Sequence, residues 1–239
     1  MVLLGAISSI SSFTYYQAIG LIGVSAGVAI QFQYVWIAVA IQTLVERKKP
    51  GKWTVISSLL VVVGSFFASG MADEVMTGVL TMDPFGLLYA VICAFFYAVF
   101  IYFSGNVAPS AEPVSKTLFG VLGGFALVAC LTPFNGGFGF DAAALAPWGL
   151  LMGIVMSIIP VLFIVVANSL ISGSLVAVLT SSELPMAVFA GFILLHEGVT
   201  GFIVFGVIVI LGAIALAQLD NKGKGTGSGR EADALAAKD

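Results

Sequence analysis

The sequence predicts an all-α polytopic membrane protein, about eight transmembrane helices arranged as an inverted repeat with both termini cytoplasmic. Three observations predict it. Of 239 residues, 60% are hydrophobic and 9% are Asp, Glu, Lys or Arg; a soluble domain carries roughly a quarter charged residues, so this chain lacks the polar surface to face water on all sides. Its apolar stretches run for roughly 17 to 25 residues, the length that crosses about 30 Å of hydrocarbon as a helix, whereas a barrel would show short alternating strands. Segments early in the chain also recur about 149 positions later.

Helices are expected over 2–22, 25–45, 53–70, 85–104, 114–133, 147–169, 174–195 and 201–219. The first carries Ser8, Ser9, Ser11 and Ser12, tolerable in a span because a serine hydroxyl bonds back to its own turn or across to a neighbour. It does not read as a signal peptide: no basic residue precedes it, and it continues through Tyr15, Tyr16 and Gln17 without a cleavage pattern. The second ends at Glu46-Arg-Lys-Lys-Pro-Gly-Lys52, and the third opens on Trp53 and ends before the linker Met71 to Pro84. The fourth is bounded by Pro84 and by Gly105 to Pro113, the fifth by the glycine-rich Asn135 to Phe140. Trp148 opens the sixth and, like Trp53, suits the membrane interface. His196-Glu-Gly-Val-Thr200 separates the seventh from the eighth. Residues 220–239, glycine-rich and of alternating charge, cannot repay ordering by burial and are expected as a disordered cytoplasmic tail. Cys93 and Cys130 sit inside apolar runs and read as small packing residues rather than a disulfide or metal pair.

Charge sets the orientation. With the Glu46 to Lys52 loop on the cytoplasmic side, all 9 basic residues lie inside, Lys116 in a loop and the last four in the tail, while Asp73, Glu74, Asp83, Asp141 and Glu197 face outward. That is the asymmetry of the positive-inside rule. So few basic residues give no footing for a nucleic-acid partner. No GxxxxGK[ST] or HExxH motif is present, and no GxSxG stands in a strand context; neither an enzyme nor a cofactor is expected.

Ala18-Ile-Gly-Leu-Ile-Gly-Val-Ser25 is echoed by Ala167-Asn-Ser-Leu-Ile-Ser-Gly-Ser174, and Val61-Val-Val-Gly-Ser65 by Val209-Ile-Leu-Gly-Ala213. The first three helices thus echo the last three across an odd number of crossings, so the copies should sit upside down relative to each other. Exchanging the conformations of two such halves turns a site open to one side into one open to the other.

Polar residues at lipid depth mark the candidate site. Glu183, in Thr180-Ser-Ser-Glu-Leu-Pro185, is the only carboxylic acid or base placed deep in a helix; a carboxylate there costs several kcal/mol unless it is paired, hydrated or protonated, which makes it the candidate for proton coupling or for interhelical hydrogen bonding. Pro185 is the candidate hinge. At the repeat-equivalent point stand Gln31, Gln33, Tyr34 and Trp36, aligned with Thr180, Ser182, Glu183 and Pro185, so that the two stretches would face one another across a substrate cavity. Trp36 would stack on a substrate or pack in the core. Tyr16, Gln17 and Asn168 would bind substrate or knit helices. Gly120 with Gly124, and Gly149 with Gly153, have the spacing for close helix approach.

From Ser174 to Thr200 and on to Leu219, the run of small and apolar residues, the mid-helix Pro185, Glu197 ahead of Val199 and Thr200, and Gly212 in the last helix resemble the EamA domain of the drug/metabolite transporter superfamily. The resemblance implies a secondary transporter of small metabolites, an exporter of amino acids or related compounds in the cell membrane, built from two five-helix halves. On that pattern residues 1–70 are a partial first repeat of three helices and 84–219 a complete second repeat of five. Trp36 stands where the first half should have its proline, and the family's first two helices have no counterpart. The implied partners are the lipid bilayer, a small-molecule substrate, protons, and a second copy if the bundle is completed by pairing. A drug/metabolite importer or multidrug exporter, and a non-transporting membrane subunit or truncated fragment, stand as alternatives.

Overall fold

The computed structural model describes residues 1–47, 49–79, 83–107, 111–131, 149, 151, 153–194, 196 and 198–236, the side chains of 131, 156 and 220–236 excepted. Trp148, the Asn135 to Phe140 loop, Asp141 and Glu197 lie outside them. All regular structure among the described residues is helical: α1 Val2–Ile22, α2 Val24–Gln31, α3 Tyr34–Glu46, α4 Lys52–Ala68, α5 Met71–Thr77, α6 Pro84–Asn106, α7 Pro113–Leu131, a π-helical turn Gly153–Ile158 leading into α8 Ile159–Leu170, α9 Gly173–Thr180, α10 Glu183–Leu194 and α11 Gly201–Ala236.

Six helical stretches among the described residues are long and apolar enough to cross a membrane: Val24–Glu46, Pro84–Asn106, Pro113–Cys130, Gly153–Leu170, Gly173–Leu194 and Gly201–Leu219. A seventh arises if α4 and α5, bent by 51° at their junction, count as one span. The chain is therefore built as an integral membrane protein. α1 has the length, 21 residues, and falls outside that set because its polar residues dilute it. Two of them lie on its buried face, where Leu4, Ser11, Thr14, Ala18 and Ile22 recur every three to seven residues against the rest of the bundle. Ser11 Oγ donates to the Cys93 carbonyl of α6 at 3.0 Å.

The expected 25–45 and 174–195 helices are each broken in two, and the Met71 to Pro84 linker holds the additional helix α5. Lys116, expected in a loop, lies in the first turn of α7 and is 3% exposed. Both cysteines are free thiols, Cys93 buried and Cys130 exposed. The backbone of α11 continues as helix to Ala236, through the stretch expected to lack structure; extending an existing helix avoids the nucleation cost that a separate one would face.

α4 lies along α11, and α1 along α6 and α7, while α3, α6 and α9 meet in the middle. Glycines let the outer pairs close. A Cβ on Gly206 would strike the backbone of Ala68 and Gly64, and one on Gly64 would come within 2.7 Å of Ile210. On the other flank, Gly5 abuts the Gly120 carbonyl, and a Cβ on Gly124 would lie 2.5 Å from Ser9 Oγ. Gly120 and Gly124 thus sit at a tight crossing, whereas Gly153 has open space beside it. The core runs through Tyr34, Val35, Ala38, Val61, Ala98, Ile101, Val178, Ile210 and Ala213; Phe125, Phe163, Phe189 and Ile208 point outward, as an apolar solvent requires.

Candidate functional site

Two helices break at points 149 residues apart. Between α2 and α3 the chain passes through Phe32 and Gln33, and between α9 and α10 through Ser181 and Ser182. Two of the replacement bonds match. Gln33 N–H donates to Ile30 O at 3.0 Å and Ser182 N–H to Leu179 O at 3.1 Å; Val35 N–H donates to Phe32 O at 3.2 Å and Leu184 N–H to Ser181 O at 3.3 Å. Each break is thus a turn of tighter, three-residue bonding spliced into an α-helix. The equivalence continues to the far ends, where Arg47 and His196, again 149 apart, both adopt positive φ, 53° and 54°.

Pro185 stands at the restart of its helix. It occupies the third position of α10, in the first turn, where a backbone N–H has no intrahelical partner to lose. The first half has the same break with Trp36 at the matching position. In place of the expected mid-helix kink the helix is interrupted at Ser181 and Ser182 and restarts just before Pro185.

Tyr34 and Glu183 are the first residues after the two breaks. Tyr34 is 1% exposed; its hydroxyl donates to the Ala177 carbonyl of α9 at 3.4 Å, and its ring meets Tyr97 of α6 edge-on with centroids 4.8 Å apart. Glu183 lies within electrostatic reach of Tyr15, Tyr34 and Tyr97. Its place at the N-terminus of α10 puts the carboxylate where the helix dipole favours negative charge. Glu183 is nevertheless exposed, because α10 packs chiefly on α4 and α11. One acid and three phenols from α1, α3, α6 and α10 thus share one region.

The other sequence candidates divide. Gln31 and Gln33 are half-buried at the first break; Gln33 Nε2 donates to Ala29 O at 3.4 Å, and its Oε1 accepts from Trp36 Nε1 at 2.9 Å. Trp36 is 46% exposed, turned away from the core in which it was one candidate for packing. Ser182 is exposed in the second break, while its neighbour Ser181 is fully buried. Tyr16 is 69% exposed; the tyrosine of α1 within reach of Glu183 is Tyr15. Asn168 knits helices: Nδ2 donates to Ile101 O at 3.0 Å and Ser104 Oγ at 2.8 Å on α6. Tyr15 and Tyr97 escaped the sequence reading; the one available signal for Tyr15 was its spacing of four from Ser11 on the polar face of α1. No cluster of three metal-ligating side chains occurs among the described residues.

No protein-family model and no curated protein matches the sequence. Solved structures do: one crystal structure of a protein superimposes over 91% of this chain and 76% of its own, with a TM-score of 0.73 at 16% identity. A likeness at that identity speaks for the fold.

Proposed function

We propose that the chain is a secondary transporter of small metabolites, of the EamA or drug/metabolite transporter kind, with Glu183 as a proton-coupled group. The observation that carries this reading is the pair of matched helix breaks. Interrupted helices free backbone groups to meet solutes without leaving polar groups in lipid, and here each break is followed by a polar side chain, Tyr34 or Glu183, at the same register of its half. The resemblance from Ser174 to Thr200 supports the same reading and favours export of amino acids or related compounds across the cell membrane.

The test is flux in vesicles reconstituted with the full chain under an imposed pH gradient. Amino-acid flux that follows the gradient in the wild type and loses that dependence in Glu183→Gln, with equal incorporation, supports a proton-coupled carrier. Gradient dependence unchanged in Glu183→Gln removes the role from Glu183. Wild-type flux no greater than that of empty vesicles would leave a non-transporting membrane subunit as the reading.

A further inference from the structure

A cavity of about 590 Å³ does not open at the breaks. It lies along the seam of α3 and α9, toward the end bearing the basic loop, between Gln42, Glu46 and Lys49 on one side and Ser169, Ser172 and Ser174 on the other. Its volume is that of a small-molecule site. Its wall is held in place: Gln42 Oε1 accepts from Ser174 N–H at 3.0 Å, and the Tyr102 hydroxyl lies 3.5 Å from Glu46 Oε1. The same seam carries the Tyr34 to Ala177 bond, and Val39, one turn and a half beyond Tyr34 on α3, lines the cavity floor. The cavity therefore leads toward the breaks.

The opposite end differs. The residue 149 positions from Gly51, which lines the cavity mouth, is Thr200, whose hydroxyl donates to Asp73 Oδ2 at 2.7 Å. The counterpart of Ser174 is Ser25, packed beneath the junction of α4 and α5, where a Cβ on Gly70 would lie 3.6 Å from its Oγ. One end is thus roofed by α5 while its counterpart stands open.

We propose that this cavity is the entry vestibule of the carrier inferred above, binding small solutes that have several hydrogen-bonding groups and no net charge. The inference rests on the transport reading for its role, not for its chemistry. The charges on the wall, Glu46 and Lys49, cancel, and the remaining polar groups are hydroxyls and an amide. Along the wall itself a solute with net charge would meet no excess of opposite charge, whereas a zwitterion or a polyol can satisfy hydroxyl, amide and both charges together.

The test labels Ser172→Cys, in a Cys130→Ser background, with a membrane-impermeant maleimide applied from the basic-loop side of vesicles holding the full chain. L-serine, glycerol, succinate and putrescine are the competing solutes. At about ten times its dissociation constant a bound solute should slow labelling roughly tenfold, since only the empty fraction reacts. Protection by serine or by glycerol, with none from succinate or putrescine, supports the vestibule, and whichever protects tells zwitterion from polyol. No protection by any solute, equal protection by a charged one, or absence of labelling from that side in a protein that labels fully once denatured overturns it. Ser169→Cys provides a second reporter if Ser172→Cys does not assemble. Flux of the same solutes is read in parallel: protection without flux sinks the carrier and leaves the site, and flux without protection does the reverse.

Discussion

Asn168 does with one amide what a pair of apolar side chains could not, tying α8 to both the Ile101 carbonyl and the Ser104 hydroxyl of α6. Asn168→Leu leaves the Ser104 hydroxyl without this partner, and a polar bond inside a membrane bundle is worth about 1 to 2 kcal/mol. The expected outcome is a lower thermal midpoint in detergent. Tyr16→Phe, at a position 69% exposed, should stay within about 0.5 kcal/mol of wild type. An equal loss in both would contradict the division of the two into a helix tie and an outward residue. The contrast also shows why the site was only half legible. A polar residue in an apolar run announces that something must satisfy it, as Glu183 and Asn168 do. Which way it turns depends on its neighbours: Tyr15 and Tyr16 are adjacent in sequence yet about 100° apart around the helix, so composition could not choose between them. Trp36 is the same case, its indole bonded to Gln33 on an outward face.

At the scale of the element, the spans were legible because their length answers to the bilayer, which is fixed, while the breaks were not. Phe32 and Gln33 include neither proline nor glycine, and the one proline that suggested a kink, Pro185, has Trp36 as its counterpart at an equally broken helix. Pro185→Ala should therefore keep the broken helix and its helical content by circular dichroism. It should cost no more than about 1 kcal/mol, through the extra freedom of the unfolded chain. A gain in helicity with a higher thermal midpoint would show that proline was interrupting a helix after all. The helix α5 was hidden for a different reason: with Asp73 and Glu74 in seven residues, it resembles a linker by composition and owes its structure to packing on α2 and α4. Packing also explains the glycines that spacing alone did not single out. Gly206 meets the backbone of Ala68, so Gly206→Leu should push α11 off α4 and destabilise by about 1 to 3 kcal/mol, read as a lowered thermal midpoint.

At the scale of the whole molecule, two halves related by a 149-residue shift share their breaks, their positive-φ residues and their helix starts, yet end differently. Where Gly51 leaves the mouth at the basic-loop end open, its counterpart Thr200 is joined to Asp73. If the halves exchange conformations, that bond must break as the opposite end opens, and its loss should shift the balance toward the state open there. A hydrogen bond to a carboxylate at an exposed position is worth about 1 kcal/mol, a shift of roughly fivefold in the two populations. Thr200→Val keeps the side chain's shape and removes the donor. With Ser25→Cys as reporter in the Cys130→Ser background, maleimide labelling from the face away from the basic loop should rise by up to about fivefold in Thr200→Val, the full factor applying while that state is a small minority. Labelling of Ser172→Cys from the basic-loop face should fall by the same absolute fraction of molecules, since one population gains what the other loses. A rise at Ser25 with no change at Ser172 would mean local fraying of α5, and no change at either would mean that the Thr200 to Asp73 bond gates nothing. Only the coupled change ties the two ends into one alternating device, because a bond at one end can alter access at the other only if both belong to the same conformational equilibrium.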